Sequence, residues 1–240
     1  MTESRVRVID LETTGLAPPA EVCEVGVCDV VLSIGRTVPP QIIPPASWLC
    51  QVETVPADAR AVHHISAADC AKAPEYSAAF LSGMLPEADV FAAHNAGFEM
   101  QWFQPARPII CTWKCALRVW PQAPSHGNMA LRYWLEDSGI IAVNAALAWP
   151  PHRAGPDAYI TAHILVALLA SGVTGREMVA WSREPPVMPR CPIGKFRGEP
   201  WRNVEAGFLK WITRQKAMGL DLIWNAQREL DRRERRDADQ

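Results

Sequence analysis

Residues 5–15, RVRVIDLETTG, place a β-branched run directly before two carboxylates and a glycine turn. Val6, Val8 and Ile9 favour a strand. Side chains alternate faces along a strand, so Asp10 and Glu12, two apart, point the same way. Two other places repeat the theme of acid beside apolar run. Ala88 to Ala93 (ADVFAA) reads as a strand ending at His94-Asn95, and Glu99 stands at the start of a helical pattern. His152 and Asp157 lie five apart in PHRAGPDAY, just before the apolar helix AYITAHILVALLAS. Carboxylates gathered out of water repel one another unless a cation sits among them. Four converging on one point would imply divalent metal, and a histidine beside them would imply proton transfer. That combination suggests metal-assisted cleavage of a phosphodiester. Each group also has a plainer reading: Asp10 and Glu12 as a strand-end acid followed by a solvated one, Glu99 and Asp157 as helix-start acids, and His152 as an exposed loop residue. His94 and Asn95 suit fixing the strand-to-helix turn better than binding metal.

Taken together, the pieces resemble the DEDD superfamily of 3'→5' exonucleases in its histidine branch, the DnaQ-like enzymes. The first motif, D-x-E-T-T-G, is Asp10 to Gly15; the second, H-N-x-x-F-D, is His94 to Glu99; the third, H-x-A-x-x-D-A, is His152 to Ala158. Ala61 to Ser66 resembles the histidine-containing turn before the second motif. Cys111 to Trp120 and Ser125 to Leu135 resemble the two following helices. Glu99 departs from the family aspartate by one methylene, which bears on placement of a second ion. The resemblance implies two divalent ions, Mg²⁺ or Mn²⁺, held by Asp10, Glu12, Glu99 and Asp157. It implies His152 as general base and release of 5'-mononucleotides. It also implies substrate contacts at Thr13, Thr14, Leu16, His94, Asn95 and Phe98.

The implied fold is α/β: a ribonuclease H-like mixed five-stranded sheet flanked by helices, with a small C-terminal appendage. Strands are expected at 5–11, 21–33, about 37–43, 89–93 and 109–111. Helices are expected near 76–85, 98–104, 112–120, 125–136, 157–171 and 174–182. Proline-rich 39–56 is expected to be loop-heavy. The domain reading is 1–182 for the exonuclease domain, 183–190 for a linker, and 191–240 for a small basic module. Within that module, Cys191 to Gly198 (CPIGKFRG) resembles an element that follows the catalytic domain in exonuclease X-like proteins. Lys195, Phe196 and Arg197 mix cation and aromatic, the composition that grips single strands; a buried packing module is the alternative. The charged run from Leu220 to Gln240 reads as a solvated, fraying helix.

At 240 residues and 49% hydrophobic content, the chain can bury a core and is not wholly disordered. No apolar run reaches the ~18–20 residues that span a bilayer. The N-terminus lacks a signal-peptide pattern, and seven cysteines without a CxxC suit a reducing cytoplasm. Residues 183–240 carry 13 Lys/Arg against 9 Asp/Glu, a net +4, whereas residues 1–182 carry a net −6. The basic end would be the handle for nucleic acid. The leading function is a metal-dependent 3'→5' exodeoxyribonuclease acting on DNA 3' ends. The alternatives are an exoribonuclease trimming RNA, or a nucleic-acid-binding module weakened by Glu99.

Overall fold

The computed structural model describes residues 3–33, 35, 38–77 and 87–238. Its sheet is mixed. The strands are β1 (Glu3–Thr13), β2 (Val22–Ser33), β3 (Gln41–Ile42), β4 (Ala46–Leu49), β5 (Val90–Ala93) and β6 (Ile109–Cys111). The order is β3-β2-β1-β5-β6, with β4 also paired to β2. β1 and β2 form an antiparallel hairpin, while β5 and β6 add in parallel to β1. All five expected strands are present. The extra strand, β4, lies in the segment expected to be loop: its prolines stop short at Pro44 and Pro45, leaving Ala46 to Leu49 free to pair with the edge of β2.

The described helices are α1 (Ala57–His63), α2 (Ala67–Cys70), α3 (Thr112–Val119), α4 (Asn128–Asp137), α5 (Ala154–Ala170), α6 (Gly175–Arg183), α7 (Ala206–Thr213) and α8 (Leu220–Ala238). The helix expected near 76–85 falls mostly outside the described residues. The one expected over 98–104 is a single 3₁₀ turn, Glu99–Gln101, closed by the Trp102 and Phe103 amides on the Glu99 carbonyl. No single helix among the described residues is long and apolar enough to cross a membrane.

Alternation along β1 sorts the two faces. Val6 and Val8 join the larger core with α3, α4, α5 and α6. Ile9 and Leu11 face a second core with Phe103 and Cys111. Asp10 and Glu12 share the parity of Val6 and Val8, so they emerge on the side covered by α5. That helix is hydrophobic all round and buried along most of its length, as expected of a core helix. Away from the site, Arg7 is buried and donates through Nε and Nη2 to both oxygens of its cross-strand partner Asp29, at 2.9 and 3.0 Å; Arg5 joins them. This network fixes the hairpin register.

The C-terminal segment has a core of its own. Cys191, Trp201, Val204, Leu209, Ile212, Leu222 and Ala226 cluster there. The tail, expected to be solvated, is anchored around Glu229 to Arg233, while residues 234–238 are exposed. Buried Glu229 binds Arg232 and Arg233, and Arg233 donates to the carbonyls of Trp201, Arg202 and Val204. An i, i+3, i+4 charge pattern that looks solvated in sequence is thus tied down by one buried acid.

β2 and α5 touch backbone to backbone at Gly26. A Cβ there would lie 2.0 Å from the carbonyl carbon and oxygen of Ala154. Gly26→Ala must therefore push α5 off the sheet, at a cost of about 1–3 kcal/mol or more. The expected result is a melting midpoint lowered by several degrees. Gly207→Ala, where nothing lies within 4 Å, should leave it level or slightly raised.

Candidate active site

The three sequence motifs meet at the carboxyl ends of parallel strands β1 and β5, where open α/β sheets form their clefts. A pocket of about 430 Å³ opens there. Asp10, Glu12, Glu99, Asp157 and His152 line it, with Thr13, Leu16, His94, Asn95 and Phe98. Single carboxylate oxygens of Asp10, Glu12 and Asp157 lie within 4.8 Å of one another, the only such group among the described residues. Glu99 stands outside that triad but is 3% exposed, and its Oε2 has no hydrogen-bond partner. Three converging oxygens and a buried orphan carboxylate oxygen form an all-oxygen donor set, which fits a hard divalent cation.

Local structure explains each placement. Helix α5 begins at Ala154 rather than 157, so Asp157 sits in its first turn and not at its cap. Pro156 is tolerated there because the first-turn amides lack helical partners. Asp157 Oδ2 accepts the His152 amide at 3.2 Å. His152 is exposed and left-handed, with φ 56°, at the lip of the pocket. Glu99 enters from the 3₁₀ turn that follows β5.

The expected substrate residues divide. Leu16, 85% exposed, stands over the pocket and Phe98 lines it beside Trp102. His94 is half-buried, and its desolvation pushes the imidazole down to about 4, so it is neutral. Its Nε2 donates to the His126 carbonyl at 2.7 Å, and its Nδ1 faces the Thr112 hydroxyl at 3.0 Å. Both ring nitrogens are therefore engaged within the fold, although the residue lines the pocket. Thr13 donates its hydroxyl to the Gly15 carbonyl. Thr14 does not line the pocket; its hydroxyl accepts the Glu21 amide and shapes the turn. Lys195 and Arg197 lie elsewhere: Lys195 pairs with Glu205 at 3.0 Å, and Arg197 lines a separate hollow.

Glu24 was not singled out by sequence reasoning. It lies directly across the hairpin from Glu12 and is 1% exposed. Arg153 donates to it through Nε and Nη2 at 2.9 and 2.6 Å, and the Ala154 amide adds a third bond at 3.0 Å. This clamp fixes the start of α5, and with it His152 and Asp157. The available signal was an acid inside the apolar run VCEVGV. His63 also reaches the pocket wall, buried, its Nδ1 accepting the Ile65 amide.

Crowding shows in the protonation equilibria. Burial, then the charges of Asp157, Glu12, Glu99 and Glu24, holds Asp10 well above the usual carboxylate range. Burial and Asp157 push Glu12 up to about 8, against the pull of Arg153. Burial likewise pushes Glu99 to about 8, and Asp157 to about 6.

The RNase T exonuclease family profile matches residues 8–165. A solved exonuclease X, in complex with 5'-overhanging duplex DNA, is 29% identical; the match covers 74% of this chain and 99% of that one, with a TM-score of 0.57. A full-length 3'-exonuclease (17% identity, 72% of this chain and 62% of that, TM-score 0.50) and cell-death related nuclease 4 (15%, 70% and 64%, 0.51) share the fold. No curated protein sequence matches. The chain belongs to the exonuclease family, as a DnaQ-like 3'→5' exonuclease with the ribonuclease H-like fold.

Glu12 and Glu99 have folded pKa values above their ordinary 4.5. Their contribution to stability is thus fullest below about pH 4.5 and is lost as pH rises through about 8. In EDTA, the melting midpoint of the wild type should fall more steeply between pH 5.5 and 8.5 than that of Asp10→Asn. Mn²⁺ at pH 8 should restore it in the wild type only. Parallel curves for the two proteins would contradict the crowding described.

Proposed function

We propose that this chain is a metal-dependent 3'→5' exodeoxyribonuclease that takes DNA 3' ends and releases 5'-mononucleotides. The observation that supports this most is the triad of Asp10, Glu12 and Asp157 oxygens beside the unpartnered Oε2 of Glu99, with His152 at the lip. The DNA-bound exonuclease X, at 29% identity, favours a deoxyribose polymer.

Asp10, Glu12 and Asp157 would hold one divalent ion, and Glu99 with Asp10 would share a second, as Mg²⁺ or Mn²⁺. Bound there, the ions would neutralise phosphate charge and lower the barrier to in-line displacement. The protein's own groups do the rest. Leu16 packs on the terminal base, and Phe98 bounds the same space. Glu12 and the Thr13 backbone receive the terminal 3'-hydroxyl. A ring nitrogen of His152 accepts a proton as water oxygen bonds to phosphorus. The phosphorus–O3' bond breaks, the new 3'-oxygen takes a proton from solvent and leaves as a hydroxyl, and a 5'-mononucleotide departs. His152 suits this role because it is exposed at the pocket mouth while its amide is tethered to Asp157.

The test uses 5'-labelled single-stranded DNA and matched RNA, in Mn²⁺ and in EDTA, with a 3'-phosphate block as control. A Mn²⁺-dependent ladder shortening from the 3' end is expected, faster on DNA. His152→Ala should reduce the rate about 10²–10⁴-fold, and Asp10→Ala should abolish it. A faster RNA ladder would favour the exoribonuclease. Silence of wild type and Glu99→Asp on both polymers would leave a binding module.

A further inference from the structure

The described surface has a second concentration of one charge, opposite in sign to the pocket. Between α3, α6 and the C-terminal segment runs a hollow of about 570 Å³. Arg118, Arg202, Arg228 and Arg232 line it, together with Trp181 and Trp201, and no acid is among its lining residues. These four cations come from segments far apart in sequence: α3, the 3₁₀ turn at 201–203, and α8. Glu184 bonds Arg118 and Glu229 bonds Arg232 from the margins. Arg202 and Arg228 make no ion pair among the described residues; Arg228 lies over the Trp224 ring at 5.8 Å, with Glu184 and Glu229 acting on its charge from further off, and Arg118 Nε is buried without an acceptor. Like charges gathered in a half-closed hollow raise the local concentration of anions.

We propose that this seam is a binding track for the sugar-phosphate backbone of a nucleic-acid strand, remote from the end being cut. The proposal rests on the nucleic-acid reading above. Guanidinium clusters suit phosphate through paired donors. The tryptophans do not offer free faces for bases. Arg118 lies over the Trp181 ring at 5.2 Å, and Trp201 is 9% exposed with its Nε1 donating to the Met188 carbonyl. Contact is therefore with backbone charge, and it is indifferent to sequence.

The position also fits. An adjoining hollow, lined by Arg190, Arg197 and His126, shares Pro121, Met188 and Pro189 with the first. The His126 carbonyl in turn accepts from His94, which lines the acidic pocket. The two hollows thus adjoin, and the second comes within one hydrogen bond of a residue that lines the acidic pocket. Lys195 and Phe196, expected to grip a strand, take no part. Lys195 pairs with Glu205, and Phe196 packs on Phe208 at 5.2 Å.

Arg202 and Arg228 are exposed, so charge reversal there spares the core. The experiment measures fluorescence anisotropy of a 5'-fluorescein 20-nucleotide single strand with the full chain in EDTA, across a salt series. Arg202→Glu with Arg228→Glu should weaken binding about tenfold or more and reduce the salt slope by roughly 2. The milder Arg202→Ala with Arg228→Ala should shift both in the same direction. Lys72→Glu with Arg176→Glu, an equal charge change at exposed sites elsewhere, should stay within about twofold of wild type. A groove variant that binds like this control overturns the proposal, as does poly-glutamate binding the wild type as tightly as DNA. Hydrolysis of the p-nitrophenyl ester of thymidine 5'-monophosphate, too small to reach the seam, should be unchanged by the groove substitutions. Silence of the wild type on that ester counts against the exonuclease chemistry, while the anisotropy still decides the seam.

Discussion

Mutual repulsion among Asp10, Glu12, Asp157 and Glu99 is the interaction on which the rest depends. All four face one pocket, and burial raises their affinity for protons. Folding the chain around such a cluster is unfavourable at neutral pH unless a cation balances it. The scaffold must therefore be rigid enough to hold the acids together without one.

That rigidity comes from the hairpin and from one close crossing. β1 supplies Asp10 and Glu12 on the α5 side by simple alternation. Gly26 lets the α5 backbone approach β2, and Glu24 then ties Arg153 and the Ala154 amide to the sheet. Asp157 is held one turn later. Glu24 thus adds a fifth negative charge near the pocket but neutralises it with Arg153, an arrangement that positions the helix without competing for a metal. The opposite charge, absent from the pocket, is gathered along the C-terminal seam.

Much of this was legible in the chain itself. The period of two along β1 placed two acids on one face, and three ordered motifs placed the rest. Other features depended on tertiary context. Phe98 to Phe103 makes one 3₁₀ turn instead of a helix: Pro105 disfavours helix just beyond it, and Phe103 packs on Phe91. The Glu24–Arg153 clamp joins residues 129 apart, which no local pattern reveals. β4 formed because β2 offered an unpaired edge. The charged tail looked solvated because Glu229, its buried anchor, is one acid among many.

The central claim is that the crowded acids form one divalent-metal site. Calorimetric titration of Mn²⁺ near pH 7.5, in two buffers of different ionisation enthalpy, tests it most directly. Carboxylates that hold protons at this pH must give them up to a metal. Saturable binding with net proton release, lost in Asp10→Asn, is the predicted result. Absence of binding, or binding without proton release that survives Asp10→Asn, would contradict the account.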